Sequence, residues 1–198
     1  MHILAFAASP RRGGNSDVLL EAVLSDLRDG NVECELFHLD SLDIAPCNGC
    51  GHCEREFRCT IEDDFDRIAK AFIRCDGVVF SSPLYFMNVP ARSKAFIDRC
   101  QIFWSVKYRL GEDVFQGKKR FGLYLACGGA KKGIGGTSLF RGFEDTMAVL
   151  FDALGLTQLD GLTVTDVEEK GALAKRNDIL DKAYDIGRDM AGLVFHNV

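Results

Sequence analysis

Residues 3–8 read ILAFAA, and residues 9–16, which follow directly, read SPRRGGNS. The first stretch is a short, continuous apolar run, which is typical of a β-strand buried on both faces of a parallel sheet. The second combines proline and glycine with hydroxyl and amide side chains, which indicates a loop. From residue 17 to about 28 the apolar residues recur at helical spacing. The start of the chain therefore predicts a buried strand, a polar loop and a helix with Asn15 or Ser16 as its N-cap.

The rest of the chain continues this alternation of strand and helix. Further strands are predicted at residues 32–39, 77–83, 121–127 and 159–164, and further helices at 60–75, 90–103, 138–154 and 172–194. Thr60 and Asp63 have the spacing of a capping box at the start of the second helix. Five strands that alternate with five helices indicate an α/β fold: a doubly wound, three-layer parallel sheet with helices on both faces. The chain shows no linker or internal repeat, so we expect one domain over residues 1–198, with a cysteine-rich loop at about 40–60.

The composition is that of an ordinary globular protein. The 198 residues include 24 Lys and Arg and 29 Asp and Glu, so the formal charge is 24 − 29 = −5. This mild acidity argues against nucleic-acid binding, for which a basic domain is expected, and no apolar run reaches the roughly 18 residues that span a bilayer. Arg11 and Arg12 follow the first apolar run, whereas the basic residues of an export signal precede it. We therefore expect a cytoplasmic protein that binds neither nucleic acid nor membrane, in a compartment where disulfides are rare.

Three loops follow the carboxyl ends of predicted parallel strands, so they are expected to meet at one edge of the sheet. Ligands of open parallel sheets bind at this edge. These loops are residues 9–16, 83–89 and 127–136. The first has hydroxyls, backbone N–H groups and a helix N-terminus, which suit a phosphate, and it matches neither a P-loop nor a dinucleotide fingerprint. A terminal monophosphate, such as that of FMN, therefore fits better than a buried pyrophosphate. The alternative is a glycine-rich connection in which Ser16 merely caps the helix.

The other two loops have residues that suit a planar ring. Tyr85, Phe86 and Met87 follow a buried strand, and apolar side chains at the rim of a sheet suit the flat face of a ring system. The alternative for them is packing under neighbouring loops or at a dimer interface. Gly128 and Gly129 let the backbone approach a planar ligand closely, and the alternative there is a plain surface loop.

The cysteine-rich loop has metal-ligand spacing: Cys47, Cys50, Cys53 and Cys59 form C-x2-C-x2-C-x5-C. Thiolates this close together suit a single metal ion or a compact multi-metal centre, and the two-residue gaps resemble those of bacterial ferredoxins. Structural zinc usually uses two separated pairs of ligands, so we rank a [4Fe–4S] cluster above zinc and above free thiols. The remaining cysteines, Cys34, Cys75, Cys100 and Cys127, lie in apolar stretches and are predicted to be small core residues.

The order of these motifs is similar to that of a known family. Ser9-Pro10-Arg11 with Asn15-Ser16, the four-cysteine run, Asp63-Asp64, Ser82-Pro83-Leu84-Tyr85-Phe86 and KAFIDR at 94–99 occur in that order. Over residues 3–135 the chain resembles the NADPH-dependent FMN reductase family of flavodoxin-like fold, and more narrowly the iron–sulfur flavoproteins. It departs from the family pattern at Ala8, where glycine is usual, and at Ser93, where an apolar residue is usual.

This resemblance implies a five-stranded sheet of order 2-1-3-4-5 with FMN at the switch point. It implies that Ser9, Arg11, Asn15 and Ser16 hold the FMN phosphate, that Pro83, Leu84, Tyr85, Phe86 and Met87 flank the isoalloxazine ring, and that Cys127, Gly128 and Gly129 lie near its other edge. It also implies a homodimer or homotetramer, and a [4Fe–4S] cluster on Cys47, Cys50, Cys53 and Cys59 that exchanges electrons with FMN.

The resemblance makes an FMN-dependent oxidoreductase the leading hypothesis, with NAD(P)H or a protein such as ferredoxin as electron donor. The redox chemistry belongs to the flavin, so no catalytic side chain is predicted. One alternative is a cluster-free, NAD(P)H-dependent reductase of free flavin or quinones. Another is a non-catalytic module that senses redox state through bound flavin or metal.

Overall fold

A computed structural model describes residues 1–133 and 137–195, so residues 134–136 of the predicted third loop lie outside the described part. The strands are β1 (His2–Ala7), β2 (Glu33–His38), β3 (Gly77–Pro83), β4 (Phe121–Cys127), β5 (Thr157–Gln158) and β6 (Leu162–Val164). The α-helices are α1 (Asn15–Asp29), α2 (Phe65–Arg74), α3 (Ala91–Arg99), α4 (Gln101–Ser105), α5 (Arg141–Ala153) and α6 (Asn177–Phe195). Short 3-10 turns lie at Leu39–Ser41, His52–Glu54 and Leu173–Lys175, and a π-helical turn at Val106–Leu110 continues α4. Within the described residues, no helix has the length and apolar character needed to cross a membrane.

The strands form one parallel sheet of flavodoxin-like order. β1 lies between β2 and β3, β4 follows β3, and both β5 and β6 pair with β4. The predicted order 2-1-3-4-5 is therefore confirmed, with the fifth position shared by two short strands. The predicted strand at 159–164 is correct only over β6, because β5 ends at Gln158, before the predicted strand begins. Gly161 lies between the two strands, and a Cβ there would lie 2.1 Å from the Tyr124 ring. The Tyr124 side chain thus occupies the space beside Gly161, between the two strands.

Helices cover both faces of this sheet. Successive residues of a strand point to opposite faces, so Ile3 and Ala5 of β1 pack with α1 and α6, whereas Leu4 and Phe6 pack with α2, α3 and α5. Both sets are completely buried. The continuous apolar run at the start of the chain is therefore explained by a strand that contributes to two cores.

Several helix starts differ from the prediction: α5 begins at Arg141 instead of 138, α6 begins at Asn177 instead of 172, and α1 and α2 differ in their caps. α2 begins at Phe65 with Asp64 as its N-cap, so the predicted capping box of Thr60 and Asp63 is wrong. The Asp63 carboxylate instead pairs with a buried arginine, which is described below, and accepts a hydrogen bond from the Phe65 N–H at 2.9 Å. α1 begins at Asn15 with Gly14 as its N-cap and without a side-chain cap.

Candidate functional site

The carboxyl ends of β1, β3 and β4 border a cleft of about 130 Å³. Its walls are Ser9, Arg11, Gly14, Asn15 and Ser16, then Pro83, Leu84 and Tyr85, then Cys127 and Gly129, and finally Val167, Glu168 and Lys170. The three loops singled out by the sequence therefore meet at one edge of the sheet. Of the residues predicted for the cofactor, Phe86, Met87 and Gly128 are not among the described residues that line the cleft, and their contacts with a ring stay predictions.

The loop between β1 and α1 is held in shape by Ser9. Its Oγ accepts a hydrogen bond from the Arg11 N–H at 3.0 Å and donates one to the Arg11 carbonyl at 3.1 Å. Gly13 has a φ of +65°, which favours glycine, and Gly14 donates its N–H to the Arg11 carbonyl. This turn places the first residues of α1 on the cleft. The first N–H groups of a helix have no partner within the helix and carry partial positive charge, so the turn presents donors suited to an anion.

The side chain of Asn15 is engaged within the protein. Its Nδ2 donates to the Val167 carbonyl at 2.9 Å and to the Glu169 carbonyl at 2.8 Å. Its Oδ1 accepts the Leu173 N–H at 3.1 Å. An amide side chain has two N–H donors, so both donors of Asn15 are used and its side chain ties α1 to residues 167–173. The prediction that Asn15 contacts a phosphate therefore rests on its backbone N–H.

The loop after β3 is a tight hairpin turn. Tyr85 and Asn88 exchange two backbone hydrogen bonds of 2.8 and 3.0 Å. Phe86 and Met87, between them, have φ values of +51° and +62°, as in a type I′ turn. Phe86 is fully exposed at the tip. Leu84 is tied to the end of β4, because its N–H donates to the Cys127 carbonyl at 2.9 Å.

The end of β4 forms a small, uncharged wall of the cleft. Burial raises the pKa of the Cys127 thiol to about 12, so Cys127 is protonated at neutral pH. The exposed Glu168 side chain places its carboxylate against Gly129, where a Cβ would lie 1.6 Å from it, so a larger residue here would displace this carboxylate. The Gly128 N–H donates to the Val164 carbonyl at 2.8 Å, which joins the end of β4 to the last residue of β6.

The two departures from the family pattern, Ala8 and Ser93, are in contact. Ser93 lies in the first turn of α3, completely buried, and its Oγ donates to the Ala8 carbonyl at 3.3 Å. The Ala8 N–H donates to the Ser81 carbonyl at 2.9 Å. The serine hydroxyl thus fixes the backbone directly before Ser9, a positioning role that sequence reasoning did not find.

The four cysteines of the metal-ligand motif line a second cavity, of about 380 Å³, which shares no lining residue with the cleft in the described part of the chain. All four are free thiols. Gly49 and Gly51 lie between the first three cysteines and turn the chain there, both at a φ of +68°. The Gly49 N–H donates to the Cys47 Sγ at 3.5 Å. Among the described residues, however, no group of three or more His, Cys, Asp or Glu side chains is placed to hold a metal ion. The thiols share one cavity without forming an assembled ligand set.

A buried ion pair that sequence reasoning missed fastens this cysteine loop. Arg99 of α3 donates to the Asp63 Oδ2 at 2.6 Å, and the two side chains are only 1% and 6% exposed. The same guanidinium donates to the carbonyls of Ala45 at 2.9 Å and Ile61 at 3.0 Å, which flank the cysteine run on both sides. Burial alone would raise the pKa of Asp63, but Arg99 and the N–H groups of Ala45 and Phe65 hold it below its usual value.

The motif order and the geometry can be compared with known proteins. The sequence model of the NADPH-dependent FMN reductase family matches residues 1–153. The chain belongs to this family. The match includes the walls of the cleft from β1, β3 and β4 and all four motif cysteines. It ends before the segment that supplies Val167, Glu168 and Lys170.

Individual relatives agree with the FMN reductase assignment. An iron–sulfur flavoprotein of Methanosarcina thermophila is 30% identical over 133 residues, which cover 67% of this chain and 66% of that protein. An iron–sulfur flavoprotein of Methanocaldococcus jannaschii is 33% identical over 133 residues, which cover 67% and 65%. The chain thus spans slightly less than two thirds of these curated relatives. The structure of an NAD(P)H:quinone oxidoreductase from Methanothermobacter marburgensis superposes with a TM-score of 0.73 over 96% of each chain, at 20% identity, and shows that the two share a fold.

Proposed function

We propose that this chain is an FMN-dependent oxidoreductase, one flavodoxin-like domain that takes electrons from NAD(P)H or from a reduced carrier protein. The observation that carries the proposal is the cleft at the ends of β1, β3 and β4. The N-terminus of α1 lies next to the apolar residues 83–85 in its wall. Membership of the NADPH-dependent FMN reductase family supports it. When bound, FMN would supply the chemistry, because its ring accepts a hydride or single electrons and passes them on.

The residues of the cleft fit this cofactor. Ser16 and the first N–H groups of α1 offer donors to a phosphate, and Arg11 adds a positive charge. The one hydrogen of the Ser9 hydroxyl is donated to the Arg11 carbonyl, so this hydroxyl would have to turn to join them. Leu84 and Tyr85 offer an apolar and an aromatic side chain to the ring. Cys127, as a neutral thiol, allows close approach of the other ring edge, and Gly129 would allow it once the exposed Glu168 carboxylate beside it turns away. These residues bind and orient, and none has to move a proton.

We further propose that Cys47, Cys50, Cys53 and Cys59 hold a [4Fe–4S] cluster. Four free thiols on one cavity are the donor set that such a cluster uses. Hydrogen bonds from the His52 N–H and the Thr60 hydroxyl lower the pKa of Cys50, which favours its thiolate. Because the thiols are not assembled into a ligand set, binding requires residues 47–59 to close around the metal. Gly49 and Gly51, with open space around them, permit such a rearrangement.

Anaerobic reduction of the flavin-loaded protein tests the oxidoreductase proposal. The chain is purified without oxygen, loaded with FMN, separated from free flavin and mixed with NADH, NADPH or reduced ferredoxin. We expect about one FMN per chain and bleaching of the flavin absorption by at least one donor. Retained flavin that no donor reduces would support a redox-sensing module instead, and failure to retain FMN would overturn the flavin site.

Iron and acid-labile sulfide assays on the same preparation test the cluster. We expect about four of each per chain, loss of both in Cys50→Ser, and wild-type content in Cys34→Ser, which changes a half-buried thiol outside the cavity. Protein without iron that still transfers electrons from NAD(P)H would overturn the cluster. It would favour a cluster-free reductase of flavin or quinones, in line with the fold shared with the NAD(P)H:quinone oxidoreductase.

We also propose a homodimer or homotetramer. The support is the implication of the resemblance together with two adjacent exposed aromatic side chains beside the cleft, Tyr85 and Phe86, which a monomer leaves in water. Light scattering of the flavin-loaded protein measures the oligomeric state directly, and a monomer would contradict this proposal.

A further inference from the structure

The segment between β6 and α6 forms one wall of the cleft through Val167, Glu168 and Lys170. This segment lies beyond residue 153, where the match to the family ends. We propose that Lys170 binds the phosphate of the cofactor, together with the loop between β1 and α1. The inference rests on the proposed function, because it takes FMN as the occupant of the cleft.

Lys170 lies over the loop between β1 and α1, residues 9–16, which is called the phosphate loop below. Its Cε and Nζ are each 3.9 Å from the place that a Cβ on Gly13 would occupy. The ammonium is therefore a close neighbour of the turn that presents the N-terminus of α1. In the described part of the chain Lys170 has no ion-pair partner, whereas Lys131 pairs with Asp166 and Arg176 pairs with Asp178. Lys170 is exposed, so its ammonium is solvated by water and can exchange this water for a ligand without breaking an ion pair.

The backbone that carries Lys170 is fixed on both sides. The Asn15 side chain donates to the carbonyls of Val167 and Glu169, which precede Lys170 in the chain. It also accepts the N–H of Leu173, which follows Lys170. The Val167 N–H also donates to the Gly128 carbonyl at 3.3 Å. The lysine stem is flexible, but its starting point is set by Asn15, a residue of the phosphate loop itself. Asn15 is therefore a positioning residue for Lys170.

The segment separates its charges. The carboxylate of Glu168 lies against Gly129 at the end of β4, whereas the ammonium of Lys170 lies against Gly13 in the loop after β1. Arg11 and Lys170 are then two cations on the cleft wall beside the start of α1. A phosphate monoester carries roughly two negative charges at neutral pH, so the two side chains match its charge.

Comparing FMN with riboflavin, which lacks the phosphate, tests this assignment. Both flavins are titrated into wild-type protein, Lys170→Gln, Lys170→Arg and Lys182→Gln, and binding is followed by the quenching of flavin fluorescence. Lys182 is exposed on α6 and does not line the cleft, so it controls for the loss of one charge. We expect Lys170→Gln to weaken FMN binding about tenfold, which is the scale of one charge-assisted hydrogen bond. Riboflavin binding should change less than about twofold, and the other two variants should match wild type.

Three results would overturn the inference. These are equal FMN affinity in Lys170→Gln and wild type, an equal loss of FMN and riboflavin affinity in Lys170→Gln, and equal affinity of wild-type protein for the two flavins. The second would show that Lys170 shapes the cleft rather than binding the phosphate. Failure of wild-type protein to bind either flavin overturns the proposed function instead, so the two failures are distinguishable.

Discussion

Each candidate site is stabilised by one side chain that bonds to groups far away in the sequence. Asn15 contacts carbonyls 152 and 154 residues away, and Arg99 reaches Asp63 across 36 residues. The hydroxyls, glycines and cysteines that line the sites could be predicted from the sequence, because local motifs carry them. The buried partners could not, because nothing in the sequence near Asn15 or Asp63 indicates which distant backbone or side chain each will meet.

Arg99 gives the first prediction at the residue scale. Arg99→Met should lower the free energy of unfolding by about 3–5 kcal/mol, because it leaves the Asp63 carboxylate buried without its partner. Urea unfolding at neutral pH measures this. Lys94→Met, on the same helix, is the matched control: Lys94 is exposed and, among the described residues, pairs only with Asp98, so a change of about 0.5 kcal/mol or less is expected. Equal stability of the two variants would refute the role of Arg99.

Asp63 gives a prediction about pH. Its pKa is lower in the folded chain than the usual value of about 3.9 in an unfolded chain. Its ionised form therefore stabilises the fold above about pH 4, and this contribution is lost as pH falls through the folded-state pKa. Asp63→Asn should be less stable than wild type at pH 7, and the difference should shrink below pH 4. Unfolding curves across this range that run parallel would contradict the prediction.

At the scale of elements, continuous apolar runs predicted the bounds of the central strands most accurately. β1, β3 and β4 lie within one or two residues of their predicted bounds, because strands buried on both faces need apolar residues throughout. The Tyr124 ring lies against Gly161 between β5 and β6, and the late start of α2 accompanies the pairing of Asp63 with Arg99. Such tertiary contacts decide where elements end, and local periodicity does not contain them.

Arg120 joins two helices and carries the prediction for this scale. The residue is 1% exposed, and its guanidinium donates to the carbonyls of Phe72 and Cys75 at the end of α2 and of Leu154 at the end of α5. Helix C-termini carry partial negative charge, which a cation stabilises. Arg120→Met should therefore destabilise the fold by at least about 2 kcal/mol, because each buried carbonyl left without a donor costs about 1–3 kcal/mol.

Urea unfolding again provides the measurement for Arg120. Arg141→Met is the control: it changes an exposed arginine of α5 whose ion pair within the described part of the chain is with Asp145. Its stability should stay within about 0.5 kcal/mol of wild type. If Arg120→Met were equally harmless, the two helix ends would be held by packing alone.

At the scale of the whole molecule, α3 connects the two candidate sites. Ser93 in its first turn fixes the backbone at Ala8, before the loop between β1 and α1, and Arg99 at its end fastens the cysteine loop. The two residues are six positions apart, or about 9 Å at 1.5 Å per residue. One helix therefore positions both the cleft at the ends of β1, β3 and β4 and the cysteine cavity, although the two share no lining residue among those described.

The strand order and the meeting of three loops could be anticipated, since the resemblance implied the first and parallel topology the second. The wall formed by residues 167–170 could not, because this segment lies beyond the family match and has no motif of its own. Only the folded chain brings Lys170 over Gly13 and Glu168 against Gly129. The C-terminal part of the chain is thus where the structure adds most to the sequence.

The most direct test of the central claim is a crystal structure of the protein saturated with FMN. We predict one FMN per chain, with its phosphate bound by Ser9, Ser16 and the first N–H groups of α1, and its ring between Leu84–Tyr85 and Cys127–Gly129. A structure in which saturating FMN leaves this cleft without flavin, or places the phosphate away from the start of α1, would contradict the account.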